Sequence, residues 1–364
     1  TLDFAYGMLQ GLPIAVMNPT AWAKIMQESF KTFLDKNNLY RYVAKEKATF
    51  EAVPNLAMAN PEFMPESAGT LSGIFKNIPL FDRFQASFEA GGLVARAEMA
   101  KTFAPMYQKA GRPLTDLGDF VNRATGVYNS RATGMSPTQQ ALEAAGLFAP
   151  SYTRASLAAV GYALDPTNGV QGKAARQMLL NMMVVGPAMY TKMATMMGQK
   201  PQLNPSDPRF LSVQLGTEWI GVGTIWVAMA RLVTRSLAHP EGLLTDNELE
   251  PNPLLRFWRS RASPTASMIW DVIDGKTYLG ADLVSPVDFG KAAVSKFVPM
   301  TLDSFLLQNP PASPSALLPM LIGARTFPIS QGERLDIVAK KDYAGRSFKE
   351  LSPLEQVEVR KDTS

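Results

Sequence analysis

Cysteine is absent from this 364-residue chain, and histidine occurs once, at His239. Those scarcities exclude thiol nucleophiles, disulfides, cysteine-ligated zinc and multi-histidine metal sites. A serine–histidine arrangement would have to use His239. Charge is thin as well: Asp, Glu, Lys and Arg make up 19% of the chain, below the usual figure of about a quarter. So weakly charged a surface suits a chain that other protein covers. Carboxylate chemistry, lysine chemistry and binding without chemistry remain. The missing residue types point away from an enzyme and from any cofactor, toward a helix-rich structural or assembly module.

What is present supports a packed chain. Apolar residues make up 46% of it, enough for sizeable cores, and the length suggests two domains. Nineteen methionines are many for this length. Methionine fills irregular gaps in a core and also suits adaptable interfaces with several partners. The net charge of +4 is only mildly basic. The chain opens on Thr1 with no basic region of a signal peptide and closes on a charged helix, Leu354 to Arg360. A piece of a longer polypeptide, or a processed product, is expected from both ends.

Periodicity reads as mainly α, an irregular multi-helix assembly with a small β-hairpin near residues 210–222. Residues 1–79 form an N-terminal helix and a Pro/Gly-rich connection. Within them, Trp22, Ile25, Met26, Phe30, Phe33 and Leu34 share one face of a helix over Thr20 to Lys36. Residues 80–200 form a helical domain. Its first helix, Leu80 to Ala110, is expected to bend or break at Gly91-Gly92 and Pro105. Leu114 to Ala124 makes a short helix, and Ser136-Pro137-Thr138-Gln139 opens another, with serine as N-cap and proline at N1. Further helices follow Pro150 and cover Lys173 to Met197. Residues 201–330 form a hairpin-plus-helix domain, turning at Gly216-Thr217, with helices over Thr224 to Ala238, Leu254 to Ile273 (interrupted near Pro264), Ala292 to Leu307 and Ser315 to Ala324. Residues 331–364 are a charged C-terminal extension containing the capping box Ser352-Pro353-Leu354-Glu355. There is no internal repeat.

Two stretches approach the length of a membrane span, Met178 to Met197 and Trp219 to Val233, where a span needs roughly twenty continuous apolar residues. Asn181, Pro187 and Lys192 interrupt the first, and Arg231 and Arg235 crowd the second. Both read as buried core helices.

Candidate chemistry is sparse. Asp116/Asp119 and Asp271/Asp274 are carboxylates three apart, the raw material of acid–base pairs but also ordinary helix-surface spacing. Glu248 and Glu250 fall in a turn-rich stretch. Gly221-Val-Gly223 lacks the third glycine of a phosphate-binding turn and reads as a hairpin-to-helix junction. His239 follows a helix, where it can cap carbonyls. Arg123, Arg131 and Arg154 surround the central turns. Arg256, Arg259 and Arg261 interleave with Phe257 and Trp258. That pattern grips nucleic acid or anchors a helix in a protein interface, and the low net charge favours the interface. Arg154, Trp226, Arg256, Phe257, Trp258, Arg259 and Arg261 are therefore the interface candidates.

Several of these stretches are familiar together: Val121-Asn-Arg-Ala-Thr-Gly126, Gly146-Leu-Phe-Ala-Pro-Ser-Tyr-Thr-Arg-Ala-Ser156, Asp207-Pro-Arg-Phe210 through Gly216 to Trp226, Leu255-Arg-Phe-Trp-Arg-Ser-Arg-Ala-Ser-Pro264 and Asp274-Gly-Lys-Thr-Tyr-Leu-Gly280. Over roughly residues 80–330 the chain resembles a segment of large multi-domain bacteriophage polypeptides and internal virion proteins. It departs from that pattern at Ser151, where arginine is usual. The resemblance implies a helical module of a long virion protein, packaged with the genome and delivered into the host, with no catalytic residue attached to these motifs. Implied partners are other virion proteins and copies of itself, with packaged DNA and the host membrane as further contacts. The implied location is the virion, then the host cell envelope after ejection.

Overall fold

The computed structural model describes residues 6–58, 81–129, 133–216, 218–238, 240–243, 252–277, 283–285, 287–290, 292, 319, 323–343 and 345–363. The fold is mainly α with one small antiparallel sheet. Two short helices, α1 (Tyr6–Leu9) and α2 (Leu12–Met17), lead into α3 (Pro19–Leu34). Asn18 caps α3 by accepting the Ala21 N–H at 3.1 Å, and Pro19 follows at N1. Helices α4 (Asn37–Lys45) and α5 (Lys47–Ala52) follow, where the sequence reading placed none.

The central element is α6 (Phe81–Lys109), against which α3 lies along much of its length. Of the bend or break expected at Gly91-Gly92 and Pro105, no break occurs: α6 is one helix through all three residues. The glycines serve close approach instead. A Cβ on Gly91 would lie 2.8 Å from Ser29 Oγ and 2.9 Å from Tyr6 Cβ. This small-residue seam also rotates α3. Its buried stripe is Ala21, Ile25, Ser29 and Thr32, whereas Phe30 and Leu34, expected to face inward, are exposed. Ser87 Oγ donates to Ser29 O at 2.8 Å across the seam.

Around this pair pack α7 (Leu114–Ala124), α9 (Pro150–Leu164) and α10 (Gly169–Met196), with α8 (Pro137–Gly146) outside them. The core joins Ile25, Val94, Phe103, Leu117, Phe120 and Met178, and each such fully buried side chain contributes roughly 1.5–3 kcal/mol. Phe103 and Phe120 meet edge to face at 5.2 Å. Tyr6 closes one end, its hydroxyl donating to Thr125 O at 3.0 Å. Ile225, Trp226 and Phe257 join the same core, which therefore crosses the divisions expected near residues 79 and 200. One cation is sealed in: Arg96 is 1% exposed, and neither Nε nor Nη1 has a hydrogen-bond partner. At the edge, Lys24 and Lys101 alternate with Glu46 and Glu98, at distances from 2.5 to 3.3 Å. Burial alone would raise the Glu46 carboxyl, but the two lysines outweigh it and hold it below the ordinary value.

Beyond α10 the chain forms the expected hairpin. Strands β1 (Ser212–Leu215) and β2 (Glu218–Gly221) pair with Leu215 opposite Glu218, and Gly216 (φ +60°) follows β1 in the connection between them. After α11 (Ile225–Ala238), α12 (Pro253–Arg259) and α13 (Pro264–Asp274), a third strand, β3 (Arg325–Pro328), adds antiparallel to β2 with Trp219 opposite Phe327. Gly223 passes so close to it that a Cβ would lie 2.8 Å from Arg325 Cβ. The Gly221–Gly223 stretch is thus a strand-to-helix junction. The C-terminal helices α14 (Gln331–Asp342) and α15 (Pro353–Thr363) share a small core of Leu335, Ala339, Leu351 and Val359. Ser330/Glu333 box α14 and Ser352/Glu355 box α15. The helices expected at Ala292–Leu307 and Ser315–Ala324 lie almost wholly outside the described residues, as do Arg131, Thr217, His239, Glu248, Glu250 and most of the 52–79 connection.

Candidate interaction surface

Three local signals assemble an outer layer from α8, α12 and α13. Ser136 caps α8, accepting the Gln139 N–H at 3.1 Å. Asn252 Oδ1 caps α12, accepting the N–H groups of Leu254 (2.9 Å) and Leu255 (3.2 Å). Ser263 caps α13, accepting from Ala266 N at 3.1 Å, and at the same time closes α8. Its N–H donates to Gly146 O at 3.0 Å and its hydroxyl donates to Ala145 O. One serine therefore satisfies orphan groups at the end of one helix and the start of another. The Phe148 N–H donates to Arg261 O at 2.6 Å, fixing the α8–α9 turn to the α12–α13 turn.

Arginines lock this layer. Arg154 grips Glu143 with two donors, Nε to Oε2 at 2.9 Å and Nη2 to Oε1, a bidentate pair that fixes α9 against α8. Its guanidinium also lies 5.9 Å from the Tyr128 ring, which Arg123 approaches at 5.8 Å. Arg259 at the end of α12 donates to Asp271 Oδ1 at 3.0 Å, to Asp274 Oδ2 and to the Lys276 carbonyl at 3.0 Å, and lies 5.8 Å from the Trp270 ring. Asp271 is 1% exposed. Asp271 and Asp274 thus form an ion-pair triad with Arg259. Asp116 likewise pairs with Arg112 at 2.7 Å, one turn back along the chain.

This clamp has an unusual consequence for α13. Asp271 is the buried residue of the helix, while Ile269, Val272 and Ile273 are 58%, 57% and 78% exposed. Helices of soluble proteins ordinarily present the opposite arrangement. The neighbouring α8 has no buried residue, and its Leu142 is 69% exposed. Both helices thus expose apolar side chains, and their carboxylates Glu143, Asp271 and Asp274 are paired with Arg154 and Arg259.

The seven interface candidates divide. Trp226 and Phe257 belong to the core. Arg154 and Arg259 are committed to Glu143 and to Asp271/Asp274. Arg261 is half-buried, and its charge opposes the upward push that burial gives the Tyr152 phenol. Arg256 is exposed, and Trp258 is partly so, resting edge to face on Phe257 at 5.4 Å. Of α12's own residues, Pro253 and Phe257 are buried, whereas Leu254, Leu255, Arg256 and Trp258 are exposed. Also exposed are Ile269, Val272, Ile273 and Leu142, which sequence reading did not single out.

A second apolar surface lies on α10. From Leu180 to its end only Tyr190 and Ala194 are buried, against the hairpin. Tyr190 OH donates to Ser212 O at 2.7 Å and accepts from Gln202 N at 2.8 Å. Leu180, Met183, Val184, Met193 and Met196 are exposed, so this half of the helix is not the buried core element expected. At the base of the hairpin, the Arg209 guanidinium holds the Asp207 carboxyl down at about 2. Among the described residues no cluster of acidic or histidine side chains could hold a metal ion, and no helix is long and apolar enough to cross a membrane.

No family model, curated protein or solved structure matches this chain.

Proposed function

We propose that this chain is a non-enzymatic structural and ejection component of a bacteriophage virion, a helical segment of a larger packaged protein that takes part in genome delivery. The observation that carries the assembly part of this reading is the inverted α13, which buries a clamped carboxylate and exposes Ile269 and Ile273. Apolar surface so presented marks a protein contact. The phage part is supported by the motif resemblance, whose residues fall at seams of the fold: Val121–Gly126 ends α7, Gly146–Ser156 joins α8 to α9, and Leu255–Pro264 joins α12 to α13. Mass spectrometry of purified particles tests it. Peptides of this chain at a fixed copy number per virion are expected, and their absence would overturn the reading.

A second reading, a membrane-active delivery component, is favoured by α10. No acidic residue occurs between Asp165 and Asp207, and the exposed apolar half of α10 carries a single charge, Lys192. Leakage from anionic liposomes is its test, and the absence of both binding and leakage would sink it.

A further inference from the structure

We propose that the last turns of α10 form a site for a soft monovalent metal ion of the Cu(I) class, held by the thioethers of Met193, Met196 and Met197, with Met189 one turn behind. The sequence carries 19 methionines and no cysteine, and core filling accounts for only some of them. Met178 is fully buried and Met99 nearly so, whereas Met189, Met193, Met196 and Met197 are 44%, 47%, 79% and 41% exposed. At 3.6 residues per turn, Met193, Met196 and Met197 fall at roughly +40°, −20° and +80° from Met189 around the helix axis. One arc of about 100° therefore carries all four. The rotation of the helix is fixed beside this arc. Tyr190 and Ala194 pack on Val213, and the Tyr190 hydroxyl donates to Ser212 O at 2.7 Å. That contact leaves the methionines open to solvent.

Position and chemistry make this arc a ligand set. Met193, Met196 and Met197 stand at i, i+3 and i+4, which puts neighbouring Cβ atoms roughly 5–6 Å apart. Three rotatable bonds in each side chain let the sulfurs turn toward a point between them. Met197 is the C-cap of a 28-residue helix, where the aligned carbonyls leave partial negative charge that favours a cation. Thioether sulfur is neutral and soft, which suits Cu(I), whereas zinc and the harder ions draw on thiolate, imidazole or carboxylate. Helix α10 contains none of those groups, and among the described residues no acidic or histidine cluster competes for a metal. The cations nearby are Lys192 and Lys200, both exposed. Their stems carry the ammonium heads into water, so they weaken the site without filling it. A thioether also has no proton to lose. Metal binding here is therefore insensitive to mild acid, unlike binding to ligands that must first be deprotonated.

The full chain is titrated with Ag(I), an air-stable stand-in for Cu(I), in chloride-free buffer and followed by calorimetry and native mass spectrometry. It is compared with Met193→Leu/Met196→Leu/Met197→Leu and with Met183→Leu, an exposed methionine off the arc. Leucine keeps the volume of methionine and removes the sulfur, and thermal melts check that each variant folds. The expected result is a single high-affinity ion per chain, held at least about tenfold more weakly by the triple variant and unchanged in Met183→Leu. Its affinity at pH 5 should equal that at pH 7. In methyl-labelled methionine NMR of the parent chain, the signals of Met189, Met193, Met196 and Met197 should move first. With Cu(I) under ascorbate and bicinchoninate as competitor, the parent should retain an ion that the triple variant releases. Affinity indifferent to the triple substitution would overturn the proposal, as would several ions of equal affinity spread over other methionines. Binding lost between pH 7 and pH 5 would assign the ion to His239 or to carboxylates instead. Ag(I) bound with no Cu(I) retained would overturn the Cu(I) class. None of these outcomes bears on the virion reading, which stands or falls on the composition of particles.

Discussion

The α3–α6–α7 bundle and the α8–α12–α13 layer solve the packing problem in opposite ways. In the bundle, apolar side chains face inward and small residues set the approach, with Gly91 against Tyr6 and Ser29. In the layer, a carboxylate faces inward on an arginine clamp, and isoleucines face outward. The bundle is held by burial and the layer by charge pairing and shared caps. The lesson is that the orientation of a helix follows its strongest fixed contact. In α13 a desolvated Arg259–Asp271 pair outweighs the preference of three apolar side chains.

The comparison can be broken at either end. On the bundle side, Phe103→Ala removes an aromatic ring that meets Phe120 edge to face, and a loss of about 3–5 kcal/mol is expected from chemical denaturation. On the layer side, Arg259→Ala strands a buried Asp271 carboxylate, with an expected loss also of about 3–5 kcal/mol. The two differ in their rescue. Adding Asp271→Leu to Arg259→Met should restore most of the layer's stability, whereas no charge change rescues Phe103→Ala. Gly91→Ala comes next, at about 1–3 kcal/mol, because the new methyl meets Ser29 Oγ and Tyr6 Cβ.

The smallest effect concerns pH. Asp207 titrates at about 2 in the folded chain because Arg209 hydrogen-bonds its charged form. A depressed carboxylate stabilises the fold above its unfolded value of about 3.9, and loses that contribution as pH falls through the folded value. The β1–β2–β3 end should therefore lose stability between about pH 4 and pH 2, and Asp207→Asn should flatten that part of the profile in urea melts. If the profile keeps its slope in the variant, Asp207 is not the titrating group.

Much of the chain's punctuation was legible because it is local. Ser136-Pro137 and Ser352-Pro353 mark helix starts through cap chemistry that needs only three following residues. The Gly216-Thr217 hairpin was legible for the same reason. Illegible were the features decided at a distance. Strand β3 joins β2 from more than a hundred residues along the chain, with no periodicity of its own over four residues. Gly91-Gly92 looks like a break until Tyr6 and Ser29 stand opposite it. Periodicity could not orient α13, because apolar patterning counts hydrophobic residues and cannot weigh a clamped carboxylate. The interface candidates on α12 belong to the layer, but the exposed isoleucines stand on the next helix, α13.

The orientation of α13 is the central claim, and the unfolding free energy of Ile269→Asp/Ile273→Asp under dilute, monomeric conditions tests it most directly. Both side chains are exposed, so a change within about 0.5 kcal/mol of the parent chain is expected, as for other surface substitutions. A loss of about 2–5 kcal/mol, the size of a large core truncation, would mean that these isoleucines are buried and would contradict the inverted helix.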